Sequence, residues 1–151
     1  MFKRTLVLSS SVLALLAMIT VAIAADKAAE FKATCPVSGK PAKKDAHAAH
    51  NGGQVYFCCN KCKAAFEKDS TKFAAKANAQ LIATGQAKQV ACPIAGRPVN
   101  AATAIEVAGV KVAFCCNGCK GKATKAKGDA QLTLVFSDKA FKKGFKVGDD
   151  K

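Results

Sequence analysis

VYFCCNKC, at residues 55–62, is the stretch around which this chain is organised, because it recurs as VAFCCNGC at residues 112–119. The sequence CPVSGKP at residues 35–41 recurs in the same way as CPIAGRP at residues 92–98, and the offset is 57 positions in both cases. All eight cysteines belong to these stretches. A fixed period without insertions indicates that one small unit was built twice, so the function has to be sought in that unit.

Residues 1–24 have the features of a secretory signal peptide. Lys3-Arg4 makes a positively charged start, residues 6–23 form an apolar run, and Ala22-Ile23-Ala24 is a small-x-small cleavage site. We therefore expect the mature protein to be secreted or periplasmic, with no attachment to the membrane after cleavage. Residues 25–34 would then form a short leader in front of the first cysteine.

The mature chain is expected to be strongly basic. The full sequence has 24 basic and 10 acidic residues, and cleavage removes two basic ones, which leaves 22 against 10, a formal charge of +12. Such a charge can favour nucleic acid. Export argues against that partner, and the aromatic side chains that stack on bases are scarce, with one Tyr and no Trp. We therefore expect no nucleic-acid partner. The lysines are interpreted as a solvated surface or, where they lie beside cysteines as Lys61 and Lys120 do, as charges that favour thiolates.

Each repeat is predicted to contain a β-hairpin that leads into the double cysteine. In the second repeat, residues 104–107 and 110–114 alternate in polarity on either side of Ala108-Gly109. The first repeat has Asn51-Gly52 at the equivalent turn, and this dipeptide is the strongest short hairpin signal. The prolines and glycine of the loop before each hairpin predict a tight turn around a single thiol.

Helices are predicted after the double cysteines. Asn60 and Asn117 can cap them, which puts the last cysteine of each cluster on the first helical turn. In the first repeat, Asp69-Ser70 can cap a further helix over residues 71–84, and Gly85 ends it. The apolar stripe of this helix consists of Phe73, Ala74, Ala77 and Leu81.

The second repeat is expected to end differently from the first. Gly128-Asp129 would stop its cysteine-bearing helix, and residues 131–136 favour a strand. Ser137-Asp138 would then cap a short helix through residue 143. Residues 86–91 are interpreted as a linker between the two repeats.

These elements predict an α+β fold of two small tandem ββα units, similar to zinc ribbons or treble clefs. The first unit would span residues 35–85 and the second residues 92–147, with a tail over residues 148–151. Units of this size bury little apolar surface and usually need a disulfide or a metal as a staple. The cysteines are the main candidates for that role.

The spacing of the cysteines is typical of a metal site. Cys35 and Cys58 enclose 22 residues, Cys58 and Cys62 enclose three, and the second repeat has the same counts. This Cys-x22-Cys-x3-Cys pattern would combine a thiol from a loop, one from a strand end and one from a helix start. Cys59 and Cys62 also form a Cys-x2-Cys pair of the kind that metal sites use. The candidate ligands are Cys35, Cys58, Cys59, Cys62, Cys92, Cys115, Cys116 and Cys119.

The repeats resemble the TRASH and YHS families of small cysteine-rich metal-binding domains. In the first repeat the match comprises CPVSG at residues 35–39, the stretch from Gly52 to Cys62, and Phe66. In the second it comprises CPIAG at residues 92–96 and the stretch from Gly109 to Cys119. The resemblance implies binding, sensing or trafficking of heavy metals such as copper, zinc or nickel. The ligands that it implies are Cys35, Cys58, Cys62, Cys92, Cys115 and Cys119.

Two features depart from the family pattern. Cys59 and Cys116 are additional thiols, which could supply a fourth sulfur to each site. Phe66 of the first repeat has only Ala123 as its counterpart in the second.

We therefore predict a metal-binding protein, not an enzyme, with one ion of Zn²⁺ or Cu(I) in each repeat. It would act as a carrier, buffer or sensor and exchange metal with a delivering or receiving protein. Two alternatives remain open. Export favours disulfides, which would make a stapled module without metal, and Cys59-x2-Cys62 could be a dithiol redox pair. His47 and His50 have no counterparts in the second repeat and are interpreted as loop residues or as auxiliary ligands of the first.

Overall fold

Five helices and three small antiparallel sheets make up residues 31–148, the part of the chain that the computed structural model describes. The predicted signal peptide, most of the leader and the last three residues of the predicted tail lie outside the described residues. The fold class is α+β, as predicted. None of the helices within residues 31–148 has the length and apolar character that a membrane span requires. In chain order the elements are β1 (Lys43–His50), β2 (Gly53–Phe57), α1 (Asn60–Lys68), α2 (Ser70–Ala83), β3 (Ala87–Gln89), β4 (Asn100–Val107), β5 (Val110–Phe114), α3 (Asn117–Lys125), α4 (Gly128–Phe136), α5 (Asp138–Gly144) and β6 (Phe145–Val147).

Two β-hairpins carry the strands that lead to the double cysteines. β1 pairs with β2, and β4 with β5, both in antiparallel register. Their turns are Asn51-Gly52 and Ala108-Gly109, and all four residues have positive φ angles, between 48° and 86°. This turn type matches the twist of the flanking strands. Both predicted hairpins are therefore present, and Ala108 bears backbone strain that Asn51 tolerates at the equivalent position.

The helix after each double cysteine begins at the asparagine itself. α1 starts at Asn60 and α3 at Asn117, so the N-cap positions belong to Cys59 and Cys116, whose side chains make no capping bond. The prediction that the asparagines cap these helices is wrong. The backbone is still extended at the second cysteine, and helical conformation begins directly after it.

Among the helices of residues 31–148, α2 is the longest, and its ends agree with the prediction. The Asp69 carboxylate accepts a hydrogen bond from the Lys72 amide at 3.2 Å, and Gly85 lies beyond the other end with a φ of 77°. The helix packs against β2 on one side and α4 on another. It therefore links the first hairpin to the second half of the chain. The residues of its predicted apolar stripe that are buried are Ala74, Ala77 and Leu81.

Residues 131–136, for which a strand is predicted, are helical and belong to α4. An apolar run of this length does not distinguish a strand from a buried helix. Packing decides the matter, because α4 lies against α2 and its residues Val135 and Phe136 are completely buried. The short helix predicted to follow is α5.

The linker predicted for residues 86–91 contains a strand. β3 pairs antiparallel with β6, with Ala87 opposite Val147 and Gln89 opposite Phe145. Strands of three residues carry too little pattern to be predicted, and this one depends on a partner at the other end of the second repeat. The resulting sheet ties the segment between the repeats to the end of the second repeat.

One hydrophobic core runs through both halves of the described chain. Phe57 from the first half and Phe114 and Phe136 from the second are completely buried, and burial of each ring stabilises the fold by about 2 kcal/mol. A polar junction adds to this core. Asn78 of α2 donates hydrogen bonds to the Phe136 carbonyl and the Asp138 carboxylate, both at 2.9 Å. Over residues 31–148 the two repeats thus form a single compact unit.

Candidate metal centres

Three sulfur atoms converge in the first repeat. Cys35 comes from the CPVSGKP loop, Cys58 directly follows β2, and Cys62 lies on the first turn of α1. Their Sγ atoms all lie within 4.8 Å of one another, and those of Cys58 and Cys62 are 3.6 Å apart. Sulfur atoms bound to one tetrahedral ion at about 2.3 Å lie about 3.8 Å apart. This trio, here called site one, therefore has the dimensions of a metal site.

Backbone hydrogen bonds close the loop of site one. The Cys35 amide donates to the Lys40 carbonyl at 2.8 Å, and the Gly39 amide donates to the Cys35 carbonyl at 2.9 Å. Gly39 has a φ of 70°, a conformation that residues with a side chain rarely adopt. The turn leaves Cys35 only 1% exposed, so its sulfur is the innermost member of the trio.

The second repeat forms an equivalent trio, here called site two. The Sγ atoms of Cys92, Cys115 and Cys119 lie within 4.8 Å of one another, and the last two are 3.7 Å apart. The loop closes as in site one, because the Cys92 amide donates to the Arg97 carbonyl at 2.9 Å and the Gly96 amide to the Cys92 carbonyl at 2.7 Å. The repeated sequence therefore builds the same geometry twice.

The two remaining thiols lie beside the trios without joining them. Cys59 Sγ is 3.7 Å from Cys58 Sγ, and Cys116 Sγ is 3.8 Å from Cys115 Sγ. Neither belongs to the groups in which all sulfurs lie within 4.8 Å of one another. Cys59 is exposed and Cys116 is partly exposed. Their role as ligands stays a prediction; all eight thiols are free in this structure.

A glutamine that sequence analysis did not identify holds the parts of site one together. Gln80 of α2 is buried. Its Oε1 accepts a hydrogen bond from the Tyr56 amide at 2.7 Å, and its Nε2 donates to the carbonyls of Tyr56 and Thr34, both at 2.8 Å. Tyr56 lies two residues before Cys58. Because Thr34 directly precedes Cys35, the side chain joins the end of the strand to the start of the loop.

Gln89 of β3 makes the same three bonds in site two. Its Oε1 accepts from the Ala113 amide at 2.9 Å, and its Nε2 donates to the carbonyls of Ala113 and Ala91 at 2.6 and 3.0 Å. These alanines are the repeat equivalents of Tyr56 and Thr34. The two glutamines themselves are not repeat equivalents and come from different elements. The repeat therefore offers no signal that could have identified them.

The thiols within each trio differ in proton affinity. Burial raises the pKa of the Cys35 thiol, but hydrogen bonds from Ser38 and from the backbone of Cys58 outweigh it and lower that pKa to about 7. Burial, together with hydrogen bonding to neighbouring thiols, raises the pKa of Cys62 to about 12. The same causes raise the pKa of Cys119 in site two to about 12. In each site a thiol of lowered pKa, Cys35 or Cys92, thus lies near one of raised pKa, and a bound cation would displace the remaining protons.

The two sites differ in their surroundings. Ser38 Oγ lies 3.2 Å from Cys58 Sγ in site one, whereas Ala95 at the equivalent position of site two has no group that could make this contact. Cys119 is buried, but its equivalent Cys62 is only partly buried. Site two is therefore the more enclosed of the two.

His47 and His50 do not contribute to either trio. The His50 side chain is 11% exposed, with Nε2 3.7 Å from the Asp138 carboxylate and the ring edge-on to Phe66. Burial lowers the pKa of His50 below 6.5, although the charge of Asp138 raises it. His47 Nδ1 lies 3.0 Å from the Lys44 carbonyl. Within residues 31–148, neither histidine belongs to a group that could hold an ion.

The donor set of each trio fits a soft or borderline cation. Thiolate sulfur favours Cu(I) and Zn²⁺ over hard ions such as Mg²⁺ and Ca²⁺. Cu(I) can be held by three sulfurs alone, whereas tetrahedral Zn²⁺ would take a fourth ligand. A solvent molecule or the adjacent thiol can fill that position. In site one, the adjacent Cys59 Sγ lies 3.7 Å from Cys58 Sγ.

Comparison of the chain with protein-family models, with curated proteins and with solved structures finds no match. The resemblance to the TRASH and YHS families therefore stays a prediction from the motifs that carry it. The function has to be argued from the two trios.

Proposed function

We propose that this chain is an exported heavy-metal-binding protein that holds one soft ion, Cu(I) or Zn²⁺, at each cysteine trio. The observation that supports this most is the convergence of three thiols from three separate elements, twice in one chain. Clustered thiolates repel one another unless a cation lies between them. A metal site in each repeat accounts for this convergence.

The open side of each trio supports a carrier, buffer or sensor rather than a purely structural metal site. Cys58, Cys62 and Cys115 are partly exposed, so an ion can enter and leave, whereas a closed four-sulfur site would be structural. A delivering or receiving protein would exchange the ion in the secreted or periplasmic compartment to which the predicted signal peptide directs the chain. Within this proposal, the units β1–β2–α1 and β4–β5–α3 are modules of the zinc-ribbon or treble-clef type, related to TRASH and YHS domains.

The charge of the described chain also supports thiolate-bound cations. Residues 31–148 contain 20 Lys and Arg against six Asp and Glu. Three thiolates around Cu(I) carry a net charge of −2, and nearby positive charge lowers the electrostatic cost of holding it. Lys61 and Lys120 lie next to cysteines of the two sites in sequence. Part of the basic composition thus fits the proposal without a nucleic-acid partner.

Anaerobic loading of the reduced mature protein with Cu(I), and separately with Zn²⁺, tests the proposal by native mass spectrometry. We expect two ions per chain in the wild type. Cys35→Ser and Cys92→Ser should each bind one, and the double variant none. Gln54→Ala, at an exposed position of β2, is the matched control and should bind two. A wild type that holds neither ion would overturn the proposed function.

A free-thiol count on the native protein, purified without a reductant, separates this function from the alternatives. A metal protein should show eight reactive thiols once a chelator is added and fewer before, whereas a disulfide-stapled module should show none in either case. Turnover in insulin reduction that depends on Cys59 would indicate a thiol–disulfide redox protein instead.

A further inference from the structure

Cys59 and Cys116 are thiols that a three-sulfur site does not use. We propose that they are exchange ligands: each takes an incoming ion at the surface, passes it to the trio behind it, and receives it again on release. The inference rests on the proposed function of the trios and gives these two residues a separate role in it. Both lie at the same position of the repeat, directly after the strand-end cysteine, so the arrangement occurs twice.

The four sulfurs of site one form a path from the interior to the surface. Cys35 is 1% exposed, Cys58 and Cys62 are partly exposed, and Cys59 is exposed. The Sγ atoms of Cys59 and Cys58 are 3.7 Å apart, and those of Cys58 and Cys62 are 3.6 Å apart. Both distances match sulfurs that share one ion. An ion can therefore bind the inner sulfurs before it leaves the outer one.

Site two has the same path. Cys116 Sγ lies 3.8 Å from Cys115 Sγ, which lies 3.7 Å from Cys119 Sγ. The innermost thiol, Cys92, is completely buried. Because Cys119 is buried as well, access through Cys116 matters more for site two than access through Cys59 does for site one.

The backbone conformation at Cys59 and Cys116 indicates that these two thiols do not stabilise the fold. Cys59 and Cys116 are the N-cap residues of α1 and α3, with extended backbones (φ −164° and −161°) and no side-chain capping bond. Ser, Thr, Asp and Asn stabilise a helix from this position, and cysteine is not among the favoured residues. Both repeats thus forgo a stabilising cap and keep a thiol, which is what a role in metal exchange would require.

The exchange forms and breaks metal–sulfur bonds in turn. When Cu(I) arrives as a complex with a small thiol, the Cys59 sulfur forms a bond to the ion, the donor sulfur leaves, and the proton of Cys59 passes to it. The ion then forms bonds to the trio, whose protons pass to solvent. The bond to Cys59 breaks, and that sulfur is protonated again. The oxidation state of the ion does not change, so no oxidant or reductant is consumed.

An exchange ligand acts on rates and not on the equilibrium. It binds the ion only in passage, so its removal should slow uptake and release by the same factor and leave Kd unchanged. A permanent fourth ligand would behave differently, because its removal would speed release and weaken binding. The two roles can therefore be distinguished by measuring both rates.

The test uses the mature protein with Cys59→Ala/Cys116→Ala. Uptake of Cu(I) from its glutathione complex, uptake of Zn²⁺, and release of each to a chromophoric chelator are followed by stopped flow. We expect both directions to slow by about tenfold or more, with two ions per chain and Kd within about twofold of the wild type. Cys59→Ser/Cys116→Ser should slow both rates to the same extent. Because serine is a favoured N-cap residue, this result would exclude an effect of helix capping. Asn60→Ala/Asn117→Ala, at exposed neighbouring positions, is the control and should keep wild-type rates.

Unchanged rates in the alanine and serine variants would overturn the inference, and so would faster release with weaker binding, which identifies permanent ligands. In both cases the wild type still loads two ions and the proposed function stands. A wild type that binds no ion removes the proposed function and this inference together.

Discussion

Replacing Gln80 with alanine tests how the fold positions site one. The substitution removes three hydrogen bonds, of 2.7 to 2.8 Å, to Tyr56 and Thr34. Each such bond contributes about 1 kcal/mol net, so we expect the free energy of unfolding to fall by about 3 kcal/mol. Gln80 is only 4% exposed, so water does not readily replace the lost side chain at the backbone groups that it leaves unpaired.

Urea unfolding of the reduced, metal-free protein measures the loss of stability, and competition with a chelator measures metal affinity at each site. Because Gln80 joins the strand that leads to Cys58 to the loop that carries Cys35, its loss should weaken site one by about tenfold, as is typical when a group that orients ligands is removed. Site two should keep its affinity. Gln89→Ala should give the reverse pattern, since it makes the corresponding bonds in site two.

Gln54→Ala is the control for Gln80→Ala, because it removes the same side chain from an exposed position of β2. The reasoning is refuted if Gln80→Ala unfolds at the same urea concentration as Gln54→Ala. It is refuted equally if Gln80→Ala and Gln89→Ala each weaken both sites to the same extent.

Two further substitutions test the junction between the halves and the approach of α5 to site two. His50→Gln should make stability less dependent on pH: burial lowers the pKa of His50 below 6.5, so the unfolded chain binds the proton more readily and wild-type stability falls as the pH drops below 6.5. Urea midpoints at about pH 5 and pH 7 measure this, with His47→Gln as the control, and an unchanged slope in His50→Gln would contradict it. Gly144→Ala should destabilise the fold by about 1–3 kcal/mol, because a Cβ there would lie 2.8 Å from Pro93 Cα. Thermal unfolding checks this against Gly148→Ala, where no atom lies within 4 Å, and equal midpoints would show the reasoning to be wrong.

Features with a local physical cause could be predicted from the sequence. The first hairpin turn follows from Asn51-Gly52, which tolerates positive φ at both positions, and the second follows from the alternating residues on either side of Ala108-Gly109. α2 follows from the capping carboxylate of Asp69 and from Gly85 beyond its end. The spacing of the thiols predicts the composition of both trios, because a loop, a strand end and a helix start are neighbours in a ββα arrangement.

Features that depend on distant partners could not be predicted. Residues 131–136 have the apolar character of a strand, and only packing against α2 makes them helical. β3 exists because β6 pairs with it. Gln80 and Gln89 resemble any other polar residues in sequence, and their role depends on where α2 and β3 lie in the folded chain. The internal repeat could not predict these features, because the elements that join the two halves are the ones that differ between the two copies.

The small sheet formed by β3 and β6 has a consequence for the ancestry of the molecule. A unit that is duplicated begins as two similar modules joined end to end. Here the final strand of the second copy is hydrogen-bonded to the segment between the copies, and α2 of the first copy covers α4 of the second. Neither copy is therefore structurally complete without the other. Cleavage by a protease after residue 144 would therefore detach β6 and destabilise the segment between the copies. An isolated copy would be less stable than the pair.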